Sequence, residues 1–154
     1  PHYFHIKGCS SGCLSNLCAC PLGYGYMLHL FGTRIQSYVD RLTSKQRPKM
    51  VGVCAIYFPD EQQGDSWAEL PLSKLGYNSN PGKLQGLIQK IYVDAIGRIK
   101  VEGTKIVPIA LYDVLDGKNT DDYEARVEPS AVGGGKMAAL FMDKMFQDGY
   151  GKYL

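Results

Sequence analysis

Apolar residues at Ile35, Tyr38, Val39 and Leu42 recur at i, i+3, i+4 and i+7 behind Thr33, and this spacing predicts an amphipathic helix capped by that threonine. The helix should end at Gln46-Arg47-Pro48, because proline disfavours helical backbone in the residue before it. The run MVGVCAIYF that follows is almost continuously apolar, rich in β-branched and aromatic residues, and predicts a strand covered on both faces. The polar stretch PDEQQGDSWAELPLSKLGYNSN then reads as a long loop with one short helical turn over Trp67 to Leu70. Asn80 caps the next helix and Pro81 takes its first position. Leu84, Leu87, Ile88, Ile91, Tyr92, Ala95 and Ile96 share one face of it, through about residue 100. TKIVPIALYDVL predicts a second buried strand, with Pro108 marking a bulge or an edge. DGKNTDDYEARVEPS is a polar loop, and Met137, Leu140, Phe141 and Met145 form the inward stripe of a last helix. That helix is expected to start near Gly135, since Gly133, Gly134 and Gly135 are costly inside a helix and are better used for close approach to the sheet.

Strand, helix, strand and helix in alternation imply an α/β domain with a parallel sheet and a right-handed crossover. Ligands of such sheets sit outside the C-terminal strand ends, here Phe58-Pro59-Asp60 and Leu115-Asp116-Gly117. Residues 1–30 hold no period and form an irregular Cys/Gly-rich segment, leaving residues 31–154 as the α/β domain.

Composition narrows the partners. The chain has 154 residues, 45% hydrophobic and 21% charged, which suits one globular domain. Its net charge of +2 is dispersed, so no basic patch points to nucleic acid or to anionic lipid. No membrane span is expected either, because LCACPLGYGYMLHLF is cut by Pro21, Gly23 and Gly25 well short of the ~20 apolar residues required. A chain that begins at Pro1 is expected to be processed or part of something longer.

His2, His5, Cys9, Cys13, Cys18 and Cys20 supply six soft or borderline ligands, of which zinc would accept four. Paired C-x2-C knuckles are missing, and disulfides, lipidated thiols or ordinary cysteines are equally open, so no metal or cofactor is assigned. Cys54 reads as strand packing, and His29 as a hydrogen-bonded core or boundary histidine. Asp116, Asp121 and Asp122 share a loop but lack the spacing of a calcium-binding loop.

In VEPSAVGGGKMA, residues Pro129, Gly133, Met137 and Ala138 fall on the pattern Asp-x-x-His-Pro-x-x-x-Gly-x-x-x-Met-Ala. The segment resembles the last conserved block of the SGNH (GDSL) hydrolase superfamily, and the resemblance extends over roughly residues 36 to 146. It implies a flavodoxin-like three-layer α/β fold with a parallel sheet, incomplete at the N-terminus, and hydrolysis of an acyl or carbohydrate ester. Glu128 stands where that family has its catalytic histidine and Ala125 where it has the aspartate, while Asp60 ends the strand whose following block carries an Asn-Asp pair. Glu128 and Asp60 are thus the catalytic candidates the resemblance implies. As a plain carboxylate near a helix start, Glu128 reads rather as a cap or ion-pair partner.

Gly64-Asp65-Ser66 spells the opening of the nucleophile block, but it follows a later strand and no histidine follows it. A serine hydroxyl needs a base that works near neutral pH. The triplet therefore predicts a turn, with Ser66 and Glu69 forming a capping box. Trp67, Tyr77 and Tyr123 are expected to be exposed near the strand-end loops, where Trp67 and Tyr123, together with Asp116, are candidates for binding a small-molecule ester or carbohydrate. Two functions follow: an ester hydrolase with an impaired triad, or a non-catalytic binding or assembly module built on that fold.

Overall fold

The structure, a computed structural model, describes residues 23–147. The Cys/His cluster between His2 and Cys20 lies outside them. In order, α1 is Tyr24–Leu28, a π-helical turn is His29–Arg34, α2 is Ile35–Thr43 and β1 is Met50–Ala55. They are followed by α3 (Glu69–Lys74), α4 (Pro81–Asp94), β2 (Lys105–Ala110), the short strands β3 (Tyr123–Ala125) and β4 (Glu128–Pro129), and α5 (Ala131–Gln147). The fold is mixed α/β. β1 and β2 pair in parallel without a slip, from Met50 opposite Lys105 to Ala55 opposite Ala110, and β3 and β4 pair antiparallel.

Period-two alternation along β1 sorts its side chains between two helical partners. Val51, Val53 and Ala55 pack with Ile35 and Val39 of α2 and with Tyr92, Ile96 and Ile99 at and beyond the end of α4. Met50 packs with Val107, Ile109 and Leu111 against Met137, Leu140, Phe141 and Met145 of α5, the inward stripe predicted for the last helix. A side-chain carbon at Gly52 would lie 3.0 Å from the Phe141 ring, so the absence of one lets α5 close on β1. Val107 and Ile109 are almost wholly buried, each contributing about 1.5–3 kcal/mol.

Several boundaries differ from the pattern-based expectations. The first helix begins at Tyr24 rather than behind Thr33, and residues 24–30 are helical although they hold no clean period. The ring of Tyr24 and the side chains of Met27, Leu28 and Phe31 pack on Ile91 and Ala95 of α4, so tertiary contact supplies what the period lacks. Of the stripe assigned to α2, Val39 is buried, whereas Tyr38 and Leu42 are exposed. Cys54 is exposed, and so is His29. Asn80 precedes α4 but makes no side-chain cap bond, and α4 ends at Asp94, followed by a 3-10 turn at Ile96–Arg98. Both strands are six residues long, shorter than predicted. Pro108 sits opposite Val53 in unbroken register, so it marks an edge and no bulge: β2 pairs with β1 alone among the described residues.

The predicted polar loop holds a 3-10 turn (Thr120–Asp122) and the β3–β4 pair. α5 starts at Ala131, ahead of the three glycines, capped by Ser130, whose Oγ accepts from Gly133 N at 3.2 Å. The close approach that Gly133 permits is to the 3-10 turn, not the sheet, since a β-carbon there would meet Asp122 O at 2.1 Å.

Candidate functional site

Beyond β1 the chain runs through Phe58, Pro59, Asp60 and Glu61, and each of these four is tied to another segment. Phe58 N donates to Leu115 O at 3.1 Å, Asp60 N to Arg126 O at 2.7 Å and Glu61 N to Gly117 O at 2.8 Å. Phe58 O accepts from the Tyr123 hydroxyl at 2.7 Å and Pro59 O from the Tyr77 hydroxyl at 2.6 Å. The Tyr123 hydroxyl in turn accepts from Gly117 N at 3.0 Å. Gly117 is required there: its φ is +82°, and a β-carbon would lie 2.4 Å from Pro59 O. A strand end held at every residue is a rigid base for a functional side chain.

The side chain it presents is Asp60, 3% exposed. Its Oδ1 accepts from Gln62 N at 2.9 Å and from the Thr120 hydroxyl at 3.3 Å, which fixes the carboxylate plane. Arg126 clamps the same segment from the β3–β4 turn. Its guanidinium donates to Asp60 O at 3.1 and 3.3 Å, to Glu69 Oε2 at 2.6 Å and to Asn78 Oδ1 at 2.7 Å, and lies over the Tyr77 ring. Arg126 is 2% exposed and has a positive φ of 29°, a strained backbone for a residue with a β-carbon. The Arg126 bond, and then the Asn78 amide, hold the Glu69 carboxyl below its ordinary value. Burial, above all, pushes the Tyr77 phenol up to about 12 and raises Tyr123 as well.

Between these walls lies a cavity of about 110 Å³. Asp60, Gln62, Gln63, Gly64 and Asp65 line it from the β1 side, and Thr120 and Tyr123 to Arg126 from the other. Carboxylates and carboxamides dominate the lining, and the one guanidinium is already committed to protein acceptors. The two chain segments that supply the walls are tied again farther along, where Trp67 Nε1 donates to Glu128 Oε1. Trp67 is 74% exposed, so its indole is anchored by the nitrogen and open to solvent on the ring. Glu128 Oε2 is buried without a hydrogen-bond partner. Beside it the Tyr57 hydroxyl donates to Val127 O at 2.6 Å, and its pKa is raised, first by burial and then by the Glu128 charge.

The five residues singled out from the sequence fall into two groups. Asp60 and Tyr123 line the cavity; Trp67 and Glu128 bond to each other and are not part of its lining. Asp116 is exposed in the turn after β2, where its Oδ1 accepts from Lys118 N at 3.0 Å. Tyr77 and Tyr123 are buried rather than exposed, because their hydroxyls are spent on the Phe58–Pro59 carbonyls. The Ser66 Oγ accepts from Ala68 N at 3.1 Å, as a turn-capping serine does. The reciprocal half of the capping box is replaced: Glu69 turns to Arg126 and Asn78. Among the described residues no group of three His, Cys, Asp or Glu is placed to hold a metal ion, so Asp116, Asp121 and Asp122 do not assemble one. No described helix is long and apolar enough to cross a membrane.

Arg126 and Asn78 have no counterpart among the residues read from sequence, where Glu69 figures only as half of a capping box. An isolated arginine in a polar loop carries no spacing signal, and its positive φ is invisible to composition. No family model, curated protein or solved structure matches the chain.

Proposed function

We propose that the chain is an SGNH-hydrolase-like domain of flavodoxin-like, three-layer architecture that binds a small neutral polyhydroxylated ligand, a carbohydrate or carbohydrate ester, at the C-terminal end of β1. The observation that carries this reading is the cavity built around the pinned Asp60 carboxylate. Its position outside a parallel strand end is where such sheets take ligands. Asp60, Asp65 and Glu124 would repel an anion, and four of the five Arg126 N–H donors are spent on Asp60 O, Glu69 and Asn78. Carboxylates and amides are instead the acceptors and donors that alcohol groups require. The exposed Trp67 ring offers a flat apolar face for the C–H edge of a sugar.

Non-catalytic binding is the reading that Ser66 supports, since its hydroxyl serves a turn and the sequence places no histidine after His29. Ester cleavage is the second reading, favoured by one observation. Glu128 is held by Trp67 through one oxygen and keeps the other buried and unpartnered, an arrangement that leaves an acceptor for a water or hydroxyl proton.

Trp67 is the chain's one tryptophan, so its fluorescence reports occupancy directly. Titration with a panel of neutral mono- and disaccharides should shift its emission saturably, and Asp65→Ala or Glu124→Ala should weaken the response at least fivefold. A panel that leaves emission unchanged, or a response indifferent to both substitutions, removes the binding reading. Turnover of p-nitrophenyl acetate that survives Ser66→Ala and is lost in Glu128→Gln would decide for the second reading.

A further inference from the structure

We infer that the cleft between the π-helical turn and the end of α4 binds a small organic carboxylate, with its acid group on Arg98 and its hydrocarbon part on Leu28, Ala95 and Ile99. The cleft has a volume of about 370 Å³, against about 110 Å³ for the cavity at Asp60, and falls within the range of small-molecule sites. Each wall is made where a helix departs from regular geometry. On one side the helical chain from Tyr24 to Thr43 is interrupted by the π-helical turn at His29–Arg34, which supplies Gly32 and Thr33. On the other, α4 gives way after Asp94 to the 3-10 turn that carries Arg98. A β-carbon at Gly32 would touch that of Ala95 at 3.5 Å, so the walls meet at an apolar floor. A π-helical turn is rare inside an α-helix and frequently marks a functional site.

The hydrogen-bonding groups left open in the cleft indicate the ligand. Asp94 is fully engaged: its Oδ2 accepts from the Tyr24 hydroxyl at 2.6 Å and from Lys90 Nζ at 2.8 Å, and its Oδ1 from Arg98 at 3.2 Å. The Lys90 bond, and then the Tyr24 bond, hold its carboxyl below the ordinary value, so it stays an anion. The Gln36 amide is engaged as well. Its Nε2 donates to Asp40 Oδ1 at 2.9 Å and to Lys100 O at 2.7 Å, and its Oε1 accepts from Lys100 N at 3.0 Å. Arg98 differs from both. It gives Asp94 one of its five N–H donors and its side chain is 71% exposed, so four donors remain open among the described residues. With one carboxylate set against Lys90 and Arg98, the cluster keeps one positive charge. The cleft thus offers donors and a cation, where the Asp60 cavity offers acceptors. That inventory selects an anion, and the planar fork of a guanidinium matches a carboxylate through two parallel bonds. Ala95 and Ile99 are buried at the floor, which suits the apolar part of an organic acid and gives a mineral anion nothing.

The experiment is isothermal titration calorimetry of the whole chain with hexanoate, and with hexanamide, acetate and inorganic phosphate as comparisons. Hexanoate should bind saturably at one site. The amide, which lacks the charge, and acetate and phosphate, which lack the hydrocarbon, should each bind at least tenfold more weakly. Arg98→Gln should weaken hexanoate about tenfold or more, and Arg98→Lys, which keeps the charge and loses the fork, should fall between. Thr33→Trp, at an exposed position on the opposite wall, should fill the cleft and abolish binding. Circular dichroism melts confirm that these surface variants fold. Asp65→Ala, in the other cavity, should leave hexanoate binding intact, which separates this site from the one at Asp60. Three results overturn the inference. They are no saturable heat with hexanoate, phosphate or hexanamide binding as tightly as hexanoate, and hexanoate binding that survives either Arg98→Gln or Thr33→Trp.

Discussion

Replacing Arg126 by methionine keeps the aliphatic stem in place and deletes the guanidinium that joins four segments. The lost contacts are two bonds to Asp60 O, one to Glu69 and one to Asn78, with the Tyr77 ring beneath. Asp60 O is left buried without its donors, which costs about 1–3 kcal/mol. The Glu69 side chain is 33% exposed, so water replaces much of its interaction. The Asn78 bond and the contact with the Tyr77 ring add about 1 kcal/mol between them. A total of about 3 kcal/mol should lower the melting temperature by roughly 6–12 °C in a domain of this size. The backbone supplies an internal control. At a φ of 29°, alanine retains the strain that glycine relieves, so Arg126→Gly should be about 1 kcal/mol more stable than Arg126→Ala. Urea unfolding followed by far-ultraviolet circular dichroism measures all three variants at one protein concentration. A loss below about 1 kcal/mol for Arg126→Met, or Arg126→Gly no more stable than Arg126→Ala, would refute the clamp.

The remaining expectations are narrower. Gly133→Ala should destabilise by about 2–4 kcal/mol through the clash with Asp122 O, while Gly134→Ala in the next position should stabilise by about 0.5–1 kcal/mol, both read from thermal melts. Glu69 has a depressed carboxyl pKa, so its contribution is complete above its ordinary 4.5 and disappears as pH falls through the lower folded value. The stability gap between the native chain and Glu69→Gln should therefore be open at pH 7 and close in acid. Tyr77 titrates the other way. Raised from 10.0 to about 12, it favours the fold fully below pH 10 and loses roughly 3 kcal/mol as pH climbs to 12, a decline that Tyr77→Phe should lessen in alkaline urea titrations.

Much of the architecture was legible because burial imposes a period. The stripe of α5 and the face of α4 came from 3.6-residue repeats, and β1 and β2 from apolar runs that only a strand buried on two faces can hold. Asp60 was legible by position, at the end of such a run, and Ser66 by chemistry, since a hydroxyl without a histidine base is a turn residue first. Trp67 and Glu128 were also singled out, but their contact spans 61 residues of chain and no local pattern encodes it.

What the tertiary structure alone decided depends on distant groups meeting. The first helix extends back to Tyr24 because α4 offers Ile91 and Ala95 to it, not because residues 24–30 repeat. Glu69 abandons the local capping box for Arg126, a charge 57 residues away and more strongly bound than a backbone N–H. The Tyr77 and Tyr123 phenols point inward because unpaired carbonyls at Phe58 and Pro59 would be costly to bury. Periodicity settles which face of an element leaves water, and a polar side chain takes its partner only from what the fold brings within three ångströms of it.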